Sequence, residues 1–134
     1  MEFLKKNTQT DSAGKPSTTK QAGDAAEERA LEHLQAAGLR LLQRNYRTPG
    51  RGGGEIDLIM RDAAGTLVFV EVRQRASASH GGAAASVGSA KQRRIVFAAR
   101  YYLMRLREPP PCRFDVVTIE AGRLAWLQAA FDAF

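Results

Sequence analysis

The chain of 134 residues is long enough for one domain with a buried core and too short for two of ordinary size. Its hydrophobic content of 44% and charged content of 25% are those of a soluble globular protein. No apolar run approaches the roughly 20 residues that cross a bilayer, so we expect no membrane association. The net charge of +6 favours polyanionic partners.

Cysteine usage and the first residues indicate the compartment. Cys112 is the single cysteine of the sequence, which excludes an intramolecular disulfide and a Cys-based zinc cluster and is typical of a reducing cytoplasm. The first residues, "MEFLKKNTQT", lack the apolar stretch of a signal peptide. We therefore expect a cytoplasmic protein.

The first part of the chain divides into an arm and a helix. Residues 1–20 are polar and without periodicity, which predicts a disordered arm, and residues 21–134 are predicted to form a single domain. The next segment predicts a helix that begins at Asp24 as its N-cap and stops at Gly38.

The remaining elements follow in chain order. Strands are predicted near 39–47 and at about 55–61 and 66–74, with "DAAG" turning the last two into a hairpin. A small-residue loop at 76–90 is flexible by composition, and a helix over 90–107 follows, capped by Ser89 and ended by "EPPP". A strand pair at 113–120 and 124–131 completes the order α-β-β-β-α-β-β. This order predicts a mixed sheet flanked by helices, an α/β or α+β fold.

Two further sequence features, a glycine-rich segment and Asp115, indicate structural roles. The segment "RGGGE" is rich in glycine but lacks the spacing of a phosphate-binding loop, so we interpret it as a flexible turn before a strand. Asp115 alternates with apolar residues in "RFDVV", and we expect it to pair with a nearby arginine outside the functional site.

Acidic side chains interrupt two segments that otherwise resemble buried strands. By alternation, Glu55 and Asp57 share one face of their strand, opposite Ile56 and Leu58. Antiparallel pairing would bring Asp57 near Glu71. Carboxylates on adjacent strands provide an oxygen-ligand site for Mg²⁺ or Mn²⁺. The alternative is an exposed hairpin face on which the acids pair with arginines.

A third acid, Glu27, falls within the apolar stripe of the first predicted helix, beside Leu31 and Leu34. An acid on this stripe faces the sheet and can complete a pocket of three carboxylates. The alternative role for Glu27 is a capping box with Asp24.

Several segments together resemble the YraN-like family of small, largely uncharacterised bacterial proteins. They are "GDAAEERALEHLQAAGLRLLQRNYR", "GGGEIDLIMRD", "LVFVEVRQR", "VGSAKQRRIVFAARYYL" and "RFDVV". The most specific piece is "GEIDLI" followed by "LVFVEV". That family is assigned to the restriction-endonuclease-like fold, the PD-(D/E)xK nuclease group, and is similar to archaeal Holliday-junction resolvases.

The resemblance implies roles for individual residues. Asp57 matches the first acid of the motif, Glu71 matches the (D/E), and Glu27 matches an acid that many members contribute from a helix. Arg73 stands where the motif has lysine. An arginine stays protonated and cannot act as a general base, but it can orient water or stabilise the transition state of phosphoryl transfer. Lys91 belongs to the family pattern, and either approaches the sheet or covers the core edge with its stem.

The functional expectation is a metal-dependent endonuclease-like protein that hydrolyses phosphodiester bonds in DNA, branched or single-stranded, with Mg²⁺ or Mn²⁺. Asp57 and Glu71 would bind the metal with Glu27 as an auxiliary acid. Glu55 would lie just outside these ligands, and the expected nucleic-acid contacts are Arg73 and Lys91. The alternative is a nucleic-acid-binding or partner-binding module on a nuclease fold without turnover, which Arg73 favours. The oligomeric state, including a homodimer, stays open.

Overall fold

The computed structural model describes residues 19–75 and 87–133. Within these ranges two helices and five strands follow the predicted order α-β-β-β-α-β-β. They are α1 (Thr19–Ala36), β1 (Arg40–Arg47), β2 (Glu55–Arg61), β3 (Leu67–Arg75), α2 (Ser89–Leu103), β4 (Cys112–Glu120) and β5 (Arg123–Phe131). Neither described helix is long and apolar enough to span a membrane.

The strands form one mixed sheet in the order β1-β2-β3-β4-β5. The neighbours β1–β2, β2–β3 and β4–β5 pair antiparallel, whereas β3 and β4 run parallel. A parallel pair needs a crossover between its strands, and α2 lies in that connection. The predicted mixed sheet with flanking helices is therefore confirmed as an α+β fold.

Each face of the sheet carries its own apolar core. Leu67 and Phe69 of β3 pack with residues of α2, while Val68 and Val70 pack with residues of α1. Strand β3 is thus covered on both faces, which explains its uninterrupted apolar run. Glu71 follows directly in this buried run, so its carboxylate lies at the edge of the core.

The predicted start of the first helix at Asp24 is wrong, because α1 begins at Thr19. The residues before Asp24 include good helix formers, and Lys20 Nζ pairs with Asp24 Oδ2 one turn later at 3.1 Å. The last two residues of the predicted arm therefore belong to α1, and residues 1–18 lie outside the described part. The stop at Gly38 is confirmed: its φ is 101°, and Leu39 N donates to the Leu34 carbonyl at 3.0 Å.

The second helix also differs from its predicted limits. The N-cap is Gly88, with extended φ and ψ of −70° and 169° and no side-chain cap hydrogen bond, so Ser89 is already inside the helix. The helix ends at Leu103 instead of 107. Arg105 N and Leu106 N donate to carbonyls three residues back, a tighter turn that closes the helix ahead of the prolines. Of the predicted loop at 76–90, residues 76–86 lie outside the described part.

Asp115 ties β4 to β5 through a buried network. Its side chain is 0% exposed and accepts from Arg113 Nε at 3.0 Å, from Trp126 Nε1 at 2.9 Å and from Ala129 N at 2.9 Å. Ala129 has a φ of 51°, next to a register shift opposite Asp115. Arg113 also pairs with Asp62 at 3.2 Å. The expected pairing of Asp115 with an arginine is confirmed, and its role is to hold the irregular part of β5.

We expect Asp115→Ala to destabilise the protein by about 1–3 kcal/mol, because it leaves partly buried donors of Arg113 and Trp126 without their acceptor. Urea denaturation measures this loss in the free energy of unfolding. Asp132→Ala, at an exposed position after β5, is the control and should stay near native. A similar small effect of both variants would contradict the structural role of Asp115.

Candidate functional site

Asp57 lies where β2 and β3 stop pairing. The β2–β3 register runs from Arg61–Leu67 to Leu58–Val70, and beyond it Val72 N donates to Asp57 Oδ2 at 2.8 Å. The carboxylate thus replaces a backbone acceptor at the point where the ladder ends. This bond brings Asp57 beside Glu71, as antiparallel pairing of the two strands requires.

The strict alternation predicted for β2 is interrupted at this point. Ile56 packs in the core under α2, whereas Leu58 packs in the core under α1. The two apolar side chains therefore do not share one face, contrary to the prediction. The change of face falls between Leu58, the last residue of β2 that pairs with β3, and Ile56, which pairs only with Tyr46 of β1.

Glu71 is buried, with a side chain only 5% exposed, and two cations reach it. Arg73 Nη1 lies 3.6 Å from Glu71 Oε2, because residues two apart on a strand point to the same face. Lys91 Nζ lies 3.7 Å from the same oxygen, although it comes from the first turn of α2. Of the two alternatives for Lys91, the structure therefore shows the approach to the sheet.

Glu27 reaches the cluster from α1. Its half-buried carboxyl group is hydrogen-bonded with Asp57, so acids from α1, β2 and β3 meet through Asp57. Because α1 begins five residues before Asp24, the capping box of Asp24 and Glu27 does not form. The placement of Glu27 follows from the apolar stripe of α1, since Ala30, Leu31 and Leu34 are buried against the sheet.

The crowding of these acids changes their protonation. Burial, followed by the charge of Asp57, raises the pKa of Glu71 to about 8. Burial and then the same charge raise the pKa of Glu27 to about 7. Burial also raises the pKa of Asp57, against the opposing effect of the Val72 N–H bond. Without a cation, the cluster therefore retains protons at neutral pH.

Glu55 lies beside the cluster at the start of β2. Its carboxylate is 3.7 Å from Arg47 Nη2, and its charge contributes to the raised pKa of Asp57. It has no hydrogen bond to Glu27 or Glu71 among those that the described residues show. Glu55 therefore lies next to the acids that contact Asp57 but outside that group, which is where we expected it.

The cluster fits a hard divalent cation by its chemistry, because every donor is a carboxylate oxygen, the ligand type that Mg²⁺ and Mn²⁺ prefer. In residues 19–75 and 87–133, no three His, Cys, Asp or Glu side chains are already arranged as a metal-binding group. The acids instead contact one another in pairs through Asp57. A cation would therefore have to replace shared protons and draw the oxygens together.

The described residues define a class: α+β domains with a mixed sheet in which an acidic cluster forms where two central strands part. By sequence, the chain belongs to the uncharacterised protein family UPF0102, which residues 26–119 match. This finding confirms the resemblance to the YraN-like proteins.

Several relatives and a solved structure are similar to this chain. A UPF0102 protein of Albidiferax ferrireducens is 82% identical over 116 residues, which cover 87% of this chain and 91% of the relative. A UPF0102 protein of Paracidovorax citrulli is 68% identical over 129 residues, covering 96% of each chain. The crystal structure of SSO0001 gives a TM-score of 0.46 at 14% identity, over 84% of this chain and 52% of that one.

The raised pKa of Glu71 predicts how the stability of the metal-free protein depends on pH. Its folded-state pKa of about 8 exceeds the ordinary value of 4.5, so between these values the folded protein holds a proton that the unfolded chain releases. The resulting stabilisation is complete below pH 4.5 and is lost as the pH rises toward 8. In chelator, urea denaturation should therefore show native stability falling across this window.

Glu71→Gln mimics the protonated acid and should lose much less stability over the same pH range. Glu32→Gln, exposed on α1, is the control and should keep the native pH dependence. An equally steep fall in Glu71→Gln and in the native protein would mean that Glu71 is not the group that holds the proton.

Proposed function

We propose that the protein is a metal-dependent nuclease that hydrolyses phosphodiester bonds in DNA. The observation that carries this proposal is the contact of Asp57 with both Glu27 and Glu71, with Arg73 and Lys91 both beside Glu71. Acids that bind a cation, next to basic groups that bind phosphate, are the components that phosphodiester hydrolysis requires.

Asp57 and Glu71 would hold Mg²⁺ or Mn²⁺, with Glu27 as an additional carboxylate from α1. A bound divalent cation supplies Lewis-acid activation of water and offsets negative charge on the phosphate. The Val72 N–H bond occupies Asp57 Oδ2, so Asp57 Oδ1 is the oxygen that this bond leaves for other contacts. The raised pKa values support the proposal further. Ionising these carboxyl groups is unfavourable without a counter-ion, and a bound cation would supply that counter-ion.

Arg73 and Lys91 would act on the phosphate. The guanidinium of Arg73 stays protonated, so it stabilises the developing negative charge and takes no proton. The ammonium of Lys91 reaches the same Glu71 oxygen from another element, at 3.7 Å against 3.6 Å for Arg73. In the nuclease motif a lysine stands two residues after the acid that Glu71 matches. Here Lys91 also lies beside Glu71, but it comes from α2 and not from β3.

The fold supports the proposal independently of the side chains. The order α-β-β-β-α-β-β and the mixed sheet agree with the restriction-endonuclease-like fold that the sequence resemblance implies. A fold alone does not establish a reaction, so the proposal rests on the acidic cluster.

A second candidate function is binding of nucleic acid or of a partner without turnover. The observation that favours it is Arg73, which replaces the lysine of the nuclease motif. Both candidates require the basic groups, but only the nuclease requires the acids to bind a cation. Metal binding and cleavage therefore separate the two functions.

Mn²⁺ should stabilise the native protein, because a ligand that binds only the folded state raises the free energy of unfolding. At a tenfold excess over its Kd, the gain is about 1.4 kcal/mol. Asp57→Asn should abolish the gain and Glu27→Gln should reduce it, as thermal or urea denaturation with and without Mn²⁺ will measure.

Glu28→Gln is the matched control for the metal experiment. Glu28 neighbours Glu27 on α1, but it is exposed and pairs with Arg44 at 3.1 Å. Its variant should keep the native gain from Mn²⁺. An unchanged gain in Asp57→Asn would place any metal binding elsewhere.

Cleavage of single-stranded, branched and duplex DNA in Mn²⁺ tests the basic groups. We expect Arg73→Lys to cleave at least as fast as the native protein, because a compact ammonium can approach the attacking water. Lys91→Gln should be slower by roughly 10²-fold, the usual effect of removing one group that stabilises the transition state. Arg73→Lys combined with Glu71→Gln should be inactive.

Arg93→Gln, which removes a charge from the exposed side of α2, controls for the general loss of basicity and should cleave at the native rate. Cleavage that persists in chelator would contradict the proposed metal dependence. Native protein and Arg73→Lys that both bind DNA but never cleave it would support the binding function instead.

A further inference from the structure

A cleft of about 300 Å³ lies at the turn between β1 and β2. We name it the glycine cleft, and its lining residues are Arg47, Thr48, Gly50, Gly52, Gly53, Gly54, Glu55 and Arg94. Its walls therefore consist largely of glycine backbone, with arginine side chains from β1 and α2. The glycines of the segment "RGGGE", which the acidic cluster does not involve, form part of this wall.

The turn has fixed contacts, contrary to its interpretation as a flexible segment. Gly54 N donates to the Thr48 hydroxyl at 2.8 Å, and Thr48 N donates to the Gly54 carbonyl at 3.1 Å. A Cβ at Gly53 would collide with Thr48 Oγ1, and a Cβ at Gly54 would collide with the carbonyl oxygen of Arg94. Glycine is therefore required here, so that the turn can pack directly against the backbone of α2.

The chemistry of the glycine cleft suits a phosphate group. At Gly50 and Gly52 no other atom occupies the space that a side chain would take, so a ligand can approach the backbone there, and the planar guanidinium groups of Arg47 and Arg94 match phosphate geometry. Glu55 is the one acid among the lining residues that the structure describes, and Arg47 lies 3.7 Å from it. Arg94 is exposed and has no acidic partner among the ion pairs of the described residues.

The position of the cleft relates it to the acidic cluster. Glu55 lines the cleft, and Asp57 of the cluster lies two residues further along β2, which is about 7 Å at the usual rise of a strand. The cleft and the acidic cluster are therefore neighbouring sites along β2. One nucleic-acid strand could place successive phosphates at the two sites.

We propose that the glycine cleft binds a backbone phosphate of the DNA strand, next to the phosphate held at the acidic cluster. This inference rests on the proposed function, since it assigns the neighbouring subsite of the same substrate. Arg94 and Arg47 are the binding residues, and the glycine backbone gives the phosphate room to approach. Glu55 opposes binding through its charge and by pairing with Arg47.

Binding of a fluorescently labelled, single-stranded phosphorothioate oligonucleotide, which resists cleavage, tests the inference by anisotropy in Mn²⁺ and in chelator. Arg94→Gln should weaken binding roughly tenfold, the usual effect of losing one charged hydrogen bond. It should also reduce the slope of log K against log salt by about 0.7, the value for one phosphate of a single strand. Arg47→Gln should weaken binding in the same direction.

Two further variants make the test specific. Arg93→Gln removes the same charge one residue earlier on α2, at an exposed position outside the cleft, and should change affinity by less than twofold or so. Glu55→Gln should strengthen binding, because it frees Arg47 and removes a like charge. A gain of affinity cannot result from a folding defect, so this variant guards against misfolding in the others.

The outcomes distinguish the cleft from the proposed function. If the native protein cleaves DNA but the Arg94→Gln and Arg93→Gln variants bind the oligonucleotide equally well, only the cleft assignment is overturned. Native protein that binds no oligonucleotide in either condition would overturn both. A selective loss in Arg94→Gln, with a gain in Glu55→Gln, would support the cleft even if no cleavage is found.

Discussion

The hydrogen bond from Val72 N to Asp57 Oδ2, at 2.8 Å, determines where the acidic residues meet. The ladder between β2 and β3 ends at Leu58 and Val70, so the next backbone donor of β3 has lost its strand partner. Asp57 satisfies that donor with its side chain, and the bond holds the carboxylate between the two strands. From this position the Asp57 carboxylate reaches both Glu71 and Glu27. Glu71 lies on the face of the sheet that α2 covers, whereas Glu27 comes from α1 on the opposite face.

Holding these acids together has an energetic cost that the surrounding residues only partly offset. Arg73 and Lys91 lower the pKa of Glu71, but burial and Asp57 outweigh them and leave that pKa raised to about 8. A purely structural cluster would gain stability from apolar replacements, since buried carboxylates that must share protons stabilise a fold weakly. Asp115 shows the contrasting case, in which a buried acid is surrounded by donors and tied into the sheet. Because the two environments differ in this way, we propose a functional role for the acidic cluster, whereas Asp115 has a structural one.

The sequence predicted the element order and the meeting of Asp57 with Glu71, because both depend on local patterns. The apolar run of β3, the turn "DAAG" and the periodicity of α1 are all visible within a few residues. One error was local, and the other contacts that the sequence did not predict are tertiary. Asp24 resembles an N-cap in the sequence, but α1 begins at Thr19 and Asp24 instead pairs with Lys20 inside the helix. The contact of Lys91 with Glu71 and the packing of Gly54 on Arg94 join segments far apart in the chain, and no spacing rule identifies them.

The packing of Gly54 on α2 connects the glycine cleft with the acidic cluster through one rigid helix. The turn can approach the Arg94 carbonyl only because Gly54 has no side chain, and this approach sets the position of α2 over the sheet. Lys91 lies one turn before Arg94 on the same helix, so the same contact fixes how far its ammonium reaches toward Glu71. The lysine beside the acids and the arginine in the cleft therefore start from fixed positions on one helix, as the two proposed phosphate contacts would need. A lysine on a rigid helix can in this way stand beside Glu71 even though β3 itself carries arginine at position 73.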